Sequence, residues 1–360
     1  MDFHLSREAA STAGGSTVIV NGRNFRTHTS VLFGNVPAES IQVVSDTTIK
    51  CRIPRHEAGI VDVTVLFPDG SAEVLPRSFE FLPPPTRYFL NEDWEKFPTI
   101  KDNSCQSYVN DEPLAGKQIF QTGTPGTAGC TGVNIDVHFS HTGSRSLRVS
   151  GNDYLYWQAP ENIAVQESNG FYQRWYFYLA AADIRNALDL WKLEVSQWKL
   201  TLARYDSPGF MLLSGPLAGS ATHLMVEHSG GNDWGNGNAA PNCCWISVPA
   251  ASNGGNFFDT GITLSQGWHE VQIWQRRSAA WTDPSCSQVE QDNVYGKAKV
   301  WIDGRLVVDI QRGCTIANDR TKLQKLRQGM LFAAYTDKGP KFSEWFDDVV
   351  FANGFVDPTP

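Results

Sequence analysis

The chain has 360 residues, with 30 Lys plus Arg against 38 Asp plus Glu and a formal net charge of −8. That balance repels a phosphate backbone and sets nucleic acid aside as a partner, while 19% charged and 12% aromatic residues exclude a disordered chain. Every apolar run breaks short of the roughly 18 residues a bilayer span needs, so no membrane insertion is expected, and the length predicts two domains.

The opening MDFHLSREAASTAGG places Asp2, Arg7 and Glu8 where a secretory signal would hold an unbroken apolar core. Short alternating runs follow: STVIVNG, SVLFGNVPAE, SIQVVSD, TTIKCRIP, VDVTVLFPDG and SFEF. In the first of them Val18 and Val20 point one way, Thr17 and Ile19 the other. Roughly six or seven short strands in about eighty residues predict a small β-sandwich over residues 1–82. Cys51 on such a strand reads as a small buried hydrophobe. Pro83, Pro84 and Pro85 cannot donate to a sheet ladder, which places a stiff linker at 83–87.

From residue 88 to 360 the chain is again strand-rich, with Gly- and Asn-rich loops such as HSGGNDWGNGNAAPN and AASNGGN. One helix is predicted at AADIRNALDL, where Ile184, Ala187 and Leu188 recur at helical spacing behind Asp183. The expected class is therefore all-β: a small β-sandwich followed by a large two-sheet jelly roll. Cys105, Cys130, Cys243, Cys244, Cys286 and Cys314 fall in this second region without any CxxC pair. An even set of this kind favours disulfides in an oxidising compartment over zinc or free thiols; Cys105 with Cys130, and Cys286 with Cys314, would each close one loop, and the adjacent Cys243 and Cys244 leave the connectivity open. An extracellular or particle-surface location follows as the expectation.

Strand parity carries the functional reading. In Gln173–Leu179, the apolar side is Trp175, Phe177 and Leu179, which leaves Arg174, Tyr176 and Tyr178 on the other. With Val271 and Ile273 inward, Glu270, Gln272 and Trp274 share the opposite face; with Val300 and Ile302 inward, Lys299 and Trp301 do the same beside an Asp303-Gly304 turn. Sugars present apolar CH faces rimmed by hydroxyls, so flat aromatics among hydrogen-bonding groups suit them. Arg174, Tyr176, Tyr178, Glu270, Gln272, Trp274, Lys299 and Trp301 are thus the expected carbohydrate-binding residues, on an open trough. The competing expectation is that loops or the first domain cover that face.

Two resemblances add to this. Gly14–Phe25, Val31–Ala38, Thr47–Pro54 and Gly59–Val65 together resemble an IPT/TIG immunoglobulin-like domain, which implies a spacer or protein-interaction module and no catalytic residues. The segments His141–Val149, Trp268–Val271, Val300–Gly304 and Phe346–Val350 resemble, in order, concanavalin-A-like jelly rolls, a group holding lectins, glucanases and polysaccharide lyases. That resemblance implies a structural calcium held by acids of the first and last strands, here Glu92, Asp93, Asp347 and Asp348, and a polysaccharide or glycan as partner.

Catalysis is less well supplied. A hydrolase of this type needs two acids at an i, i+2 spacing on the groove face, and Glu270 with Gln272 provides one. A lyase needs a Tyr or His base and groups that neutralise a uronate carboxylate. Arg174, Tyr176, Tyr178, Gln272 and Lys299 form such a set, with His138, His141, His223, His228 and His269 as further bases, but the Gln-x-His signature of alginate-type lyases is absent. GxSxG, HExxH and GxxxxGK[ST] are absent too. The leading expectation is a lectin-like carbohydrate-binding protein; the alternatives are a polysaccharide lyase acting on uronate-containing glycans and a structural component of a filament, virion or cell-surface array.

Overall fold

A computed structural model describes residues 3–96, 107–112, 116–122, 133–150, 154–158, 170–180, 193–199, 209–215, 220–229, 244–246, 257–263, 265–277, 293–317, 329–333, 335–336 and 343–358. All regular elements among them are strands, and none is a helix long and apolar enough to cross a membrane. The helix expected at AADIRNALDL and the Gly/Asn-rich loops lie outside the described residues. So do the side chains of the six cysteines of the second region.

The first region folds because its alternation supplies two apolar faces that can only be buried against each other. One sheet runs His4–Leu5, Thr17–Asn21, Thr48–Arg52, Glu39–Ser45; the other runs Ala9–Ser11, Ala72–Leu82, Gly59–Leu66, Ser30–Phe33, Val36–Pro37. Thr17–Asn21 alternates exposed and buried as its sequence requires, with Val18 and Val20 inward. They meet Val31, Phe33, Ile49, Val63, Val65, Phe79 and Phe81 in one core, where Phe33 and Phe79 pack edge to face at 4.8 Å. Cys51 sits in this core as a free thiol, and burial pushes its pKa up to about 12.

The second region centres on a nine-stranded antiparallel sheet. Its order is Val133–Asp136, Ser146–Ser150, Ser343–Ala352, Phe171–Leu179, Gly267–Arg277, Asn293–Ile302, Arg305–Ala317, Cys244–Ile246, with Tyr88–Glu92 also paired to Ser343–Ala352. Two smaller sheets accompany it where a single second sheet was expected. One is Ser107–Glu112, Gly116–Thr122, Tyr154–Gln158, Gly329–Ala333, and the other is Phe257–Thr263, Ser220–Ser229, Gly209–Gly215, Leu193–Lys199, Tyr335–Thr336. The chain leaves one of them at Ala333 and enters the other at Tyr335. A strand that changes sheet in this way divides a layer that the sequence alone reads as continuous.

Candidate functional site

The three strands singled out by parity are neighbours in the large sheet. Arg174 pairs with Gln272 and Tyr176 with Glu270 across one ladder; Gln272 pairs with Trp301 and Trp274 with Lys299 across the next. Period-two geometry therefore puts all eight residues on one face, with Trp175, Phe177, Val271, Ile273, Val300 and Ile302 buried on the other.

That face is not the open trough expected. The first domain lies across half of it. Ala9 and Leu82 pack with Tyr172, Trp274, Trp301, Leu306 and Phe355 in a small apolar cluster. Around the cluster, Lys299 Nζ donates to both oxygens of Glu80 at 2.6 and 2.8 Å, Glu8 N donates to Gly304 O at 2.8 Å, and Leu306 N donates to Glu8 Oε2 at 3.0 Å. The C-terminal residues complete the seam: Ser11 N donates to Asp357 Oδ1 at 3.0 Å, Arg174 Nη1 to Asp357 O at 2.7 Å, and Phe355 N to Pro83 O at 2.8 Å. Trp301, at 3% exposure, and Lys299 thus serve the docking of the two domains. The physical cause is the apolar area of Trp274 and Trp301, which is worth burying against Ala9 and Leu82.

Beyond the residues that meet the first domain a second group of rings gathers, and it buries Tyr176 and Tyr178 to 6% and 9% exposure. His141 stacks on Tyr176 with centroids 3.6 Å apart and planes 13° from parallel; Trp268 meets the His141 ring edge-on at 5.7 Å. Trp268 also packs on Tyr178 at 5.5 Å, and Phe139 stacks on Tyr178 at 4.8 Å. Phe139, His141 and Trp268 are half-buried. Gln266 Nε2 donates to the Tyr178 hydroxyl at 3.0 Å, and the Arg174 guanidinium stands 5.3 Å from the Tyr176 ring. Burial, aided by the Glu270 charge, pushes the Tyr176 hydroxyl well above the usual tyrosine range.

The strand Ser343–Ala352 positions His141. Its pairing with Phe171–Leu179 shifts register between Tyr176↔Asp347 and Arg174↔Val350, and Asp348 adopts φ 47° at the bulge. The extra residue turns two successive carboxylates toward one loop. Asp347 Oδ2 accepts His141 N at 2.8 Å and Thr142 N at 3.3 Å; Asp348 accepts the Thr142 hydroxyl at 2.6 Å and stands 2.6 Å from His141 Nδ1. Glu95 grips the same loop from the opposite chain end, accepting Ser144 N at 2.6 Å and Arg145 N at 2.7 Å. Burial and the adjacent Asp348 carboxylate push Asp347 up to about 7, against the N–H donors that favour its charged form. Burial works the same way on Asp348, but the hydrogen bonds from His141 and Thr142 hold it below the ordinary carboxylate range.

The four acids expected to share a calcium lie at the end of Tyr88–Glu92 and in its partner strand Ser343–Ala352. Glu92 pairs opposite Val349 and accepts Trp94 N at 2.8 Å, Asp93 accepts Glu95 N at 3.2 Å, and Asp347 and Asp348 are taken up by the His141 loop. Among the described residues no group of three or more His, Cys, Asp or Glu is placed to hold a metal ion.

Of the site residues outside the expected set, Trp268 is within reach of the parity reading, since it shares the parity of Glu270 and Gln272. His141 and Phe139 sit on a loop whose place depends on a bulge more than two hundred residues later, and no local signal gives that.

Residues 5–81 match the family model of the IPT/TIG domain. No curated protein matches the chain in sequence. Among solved structures, the cellulose induced protein Cip1 is similar at 16% identity, covering 73% of this chain and 97% of that one with a TM-score of 0.33. An alginate lyase, AlyC3, in complex with dimannuronate is similar at 9% identity, covering 57% and 73% with a TM-score of 0.35. The binding domain of botulinum neurotoxin DC in complex with rat synaptotagmin II is similar at 9% identity, covering 72% and 50% with a TM-score of 0.32. The match thus takes in about half of that neurotoxin chain.

Proposed function

We propose that this is a carbohydrate-binding protein of an extracellular or particle surface, in which an IPT/TIG domain is docked onto a lectin-like, concanavalin-A-like β-domain. The observation that carries the reading is the half-buried ring group of Trp268, His141 and Phe139 over the buried Tyr176 and Tyr178, edged by the Gln266 amide and the His141 imidazole. Its half-buried rings offer apolar surface for a sugar residue, and its rim offers donors and acceptors for hydroxyls. On this reading the sugar meets Trp268, His141 and Phe139, Tyr176 and Tyr178 of the expected set support those rings from beneath, and Trp274, Lys299 and Trp301 serve the domain seam.

A glycan array followed by calorimetry on the best ligand tests this. Trp268→Ala and Phe139→Ala are expected to weaken binding about tenfold or more, a loss of about 1.4 kcal/mol, while Tyr88→Ala, at an exposed ring elsewhere, is expected to leave it unchanged. Binding that is indifferent to both substitutions sinks the reading. Release of unsaturated uronate, seen as ultraviolet absorbance, would instead make the protein a lyase. The architectural alternative is favoured by one observation, the sealed seam itself, and it predicts ordered self-association with no response to glycans.

A further inference from the structure

The ring group belongs to a row that crosses the large sheet. Asn134 pairs with Arg148, Arg148 with Trp345, Trp345 with Tyr178, and Tyr178 with Trp268. Residues paired across strands share a face, so Arg148 stands on the same face as the rings, three strands and about 14 Å from Trp268. The row also stays clear of the domain seam. Trp301 pairs with Gln272, which lies about 13 Å along the strand from Trp268.

Arg148 is held in place by its neighbours. Its Nε and Nη2 donate to Ser343 Oγ at 3.2 and 2.9 Å, and its guanidinium lies 5.5 Å from the centre of the Trp345 ring. Phe139 packs on that same indole at 4.8 Å, which joins the cation to the ring group. Both Arg148 and Phe139 are half-buried, and the stretch beside Phe139 is open to solvent, with Val137 57% exposed and the His138 side chain 80% exposed.

What this cation lacks is an anion. A guanidinium carries five N–H donors, and the Ser343 hydroxyl is the one acceptor they meet among the described residues. Asp136, the acid two residues beyond Asn134, is turned to its own loop: it accepts His138 N at 2.6 Å and stands 3.0 Å from His138 Nδ1. An arginine laid on an aromatic ring, steered by one hydroxyl and left without a carboxylate, can give two parallel N–H bonds to a carboxylate or sulfate.

We infer that Arg148 is a specificity-determining residue at one end of the sugar site, so that the ligand is an oligosaccharide bearing an anionic group and lying across the strands. One sugar residue rests on Trp268 and Phe139, and the carboxylate or sulfate ester of a later residue meets the Arg148 fork. This rests on the carbohydrate-binding reading and adds the chemical class and direction of the ligand.

The glycan array, extended with tetramers of glucose, mannose and galactose in neutral, C6 carboxylate and C6 sulfate ester forms, tests the subsite, with calorimetry on the best matched set. The intact chain is expected to bind a charged form about tenfold more tightly than its neutral counterpart, with a preference that shrinks as salt is added. The preferred charged form identifies the group. Arg148→Gln is expected to abolish the preference and leave the neutral form bound as before, with unfolding temperatures recorded to show that the chain still folds. Arg148→Lys keeps the charge and loses the fork, and is expected to reduce the preference about threefold. Phe139→Ala is expected to weaken neutral and charged forms alike. A preference that neither Arg148 substitution changes, or an intact chain that binds neutral forms as tightly as charged ones, overturns the anionic subsite and leaves the ring group standing. An intact chain that binds no glycan overturns both.

Discussion

The His269 ring is buried, stacks on Phe177 at 5.3 Å, and bridges two turns: Nδ1 lies 2.8 Å from Asp303 Oδ2 and Nε2 lies 3.1 Å from Ser265 O. Burial alone would lower its pKa, but the Asp303 carboxylate and the Ser265 carbonyl outweigh burial and hold it above the ordinary histidine value. A histidine raised in this way binds its proton more tightly folded than unfolded. Its stabilisation is therefore complete below about pH 6.5 and is lost as pH rises through the folded value. Urea midpoints between pH 5 and 9 are expected to fall for the native chain across that window and to flatten for His269→Gln. At Cys51 the prediction is kinetic: a thiol with its pKa near 12, sealed in the first core, is expected to resist alkylation until the domain unfolds. Mass spectrometry of labelled protein along a urea series reads this directly. Burial of Cys51 was legible from alternation alone, whereas the His269 bridge was not, because its partners belong to separate turns.

The Asp303-Gly304 turn shows how far an element could be read. Its dipeptide announces a tight hairpin, and φ values of 50° and 77° confirm the left-handed conformation that such turns require. Asp303 also ties it sideways, donating N–H to Glu270 O and accepting Glu270 N at 2.9 Å. What the dipeptide does not announce is that the missing Cβ of Gly304 makes room for Arg7 of the other domain. Gly304→Ala is expected to cost about 1–3 kcal/mol through left-handed strain and the displaced Arg7, and to speed proteolysis near residues 83–87. Normal stability with unchanged cleavage would show that the seam does not depend on this contact. The three central strands were likewise legible: period-two alternation gave the face shared by Tyr176, Glu270, Gln272 and Trp301. Alternation reports which side chains share a face and is silent on what covers it, so burial of Trp301 was beyond it. The bulge at Asp347–Asp348 was hidden for a related reason, since an inserted residue shows only against a partner strand.

At the scale of the whole molecule, the seam joins residues far apart in sequence, such as Glu80 with Lys299 and Ser11 with Asp357. Two-domain organisation could be read from composition and from Pro83–Pro85; the docking could not, because it depends on surfaces that exist only after each domain has folded. Glu80→Gln, which leaves the mostly buried Lys299 ammonium with a weaker partner, is expected to cost about 1.5–3 kcal/mol. Scanning calorimetry of the native chain is expected to show one cooperative transition that splits into two in this variant. Two separate transitions in the native chain would mean that the domains merely touch.

The last strand leads into a short ribbon, residues 353–357, that threads the groove between the domains: Asn353 Oδ1 accepts from Thr86 N and Arg87 N, Phe355 packs on Trp301, and Asp357 reaches Ser11. Parts of one polypeptide sewn together by a later stretch of the same chain cannot be traded like beads on a string. Grafting the first domain onto a different host would require carrying this ribbon and its landing sites along, so the pair is constrained to change in step, as a single heritable unit.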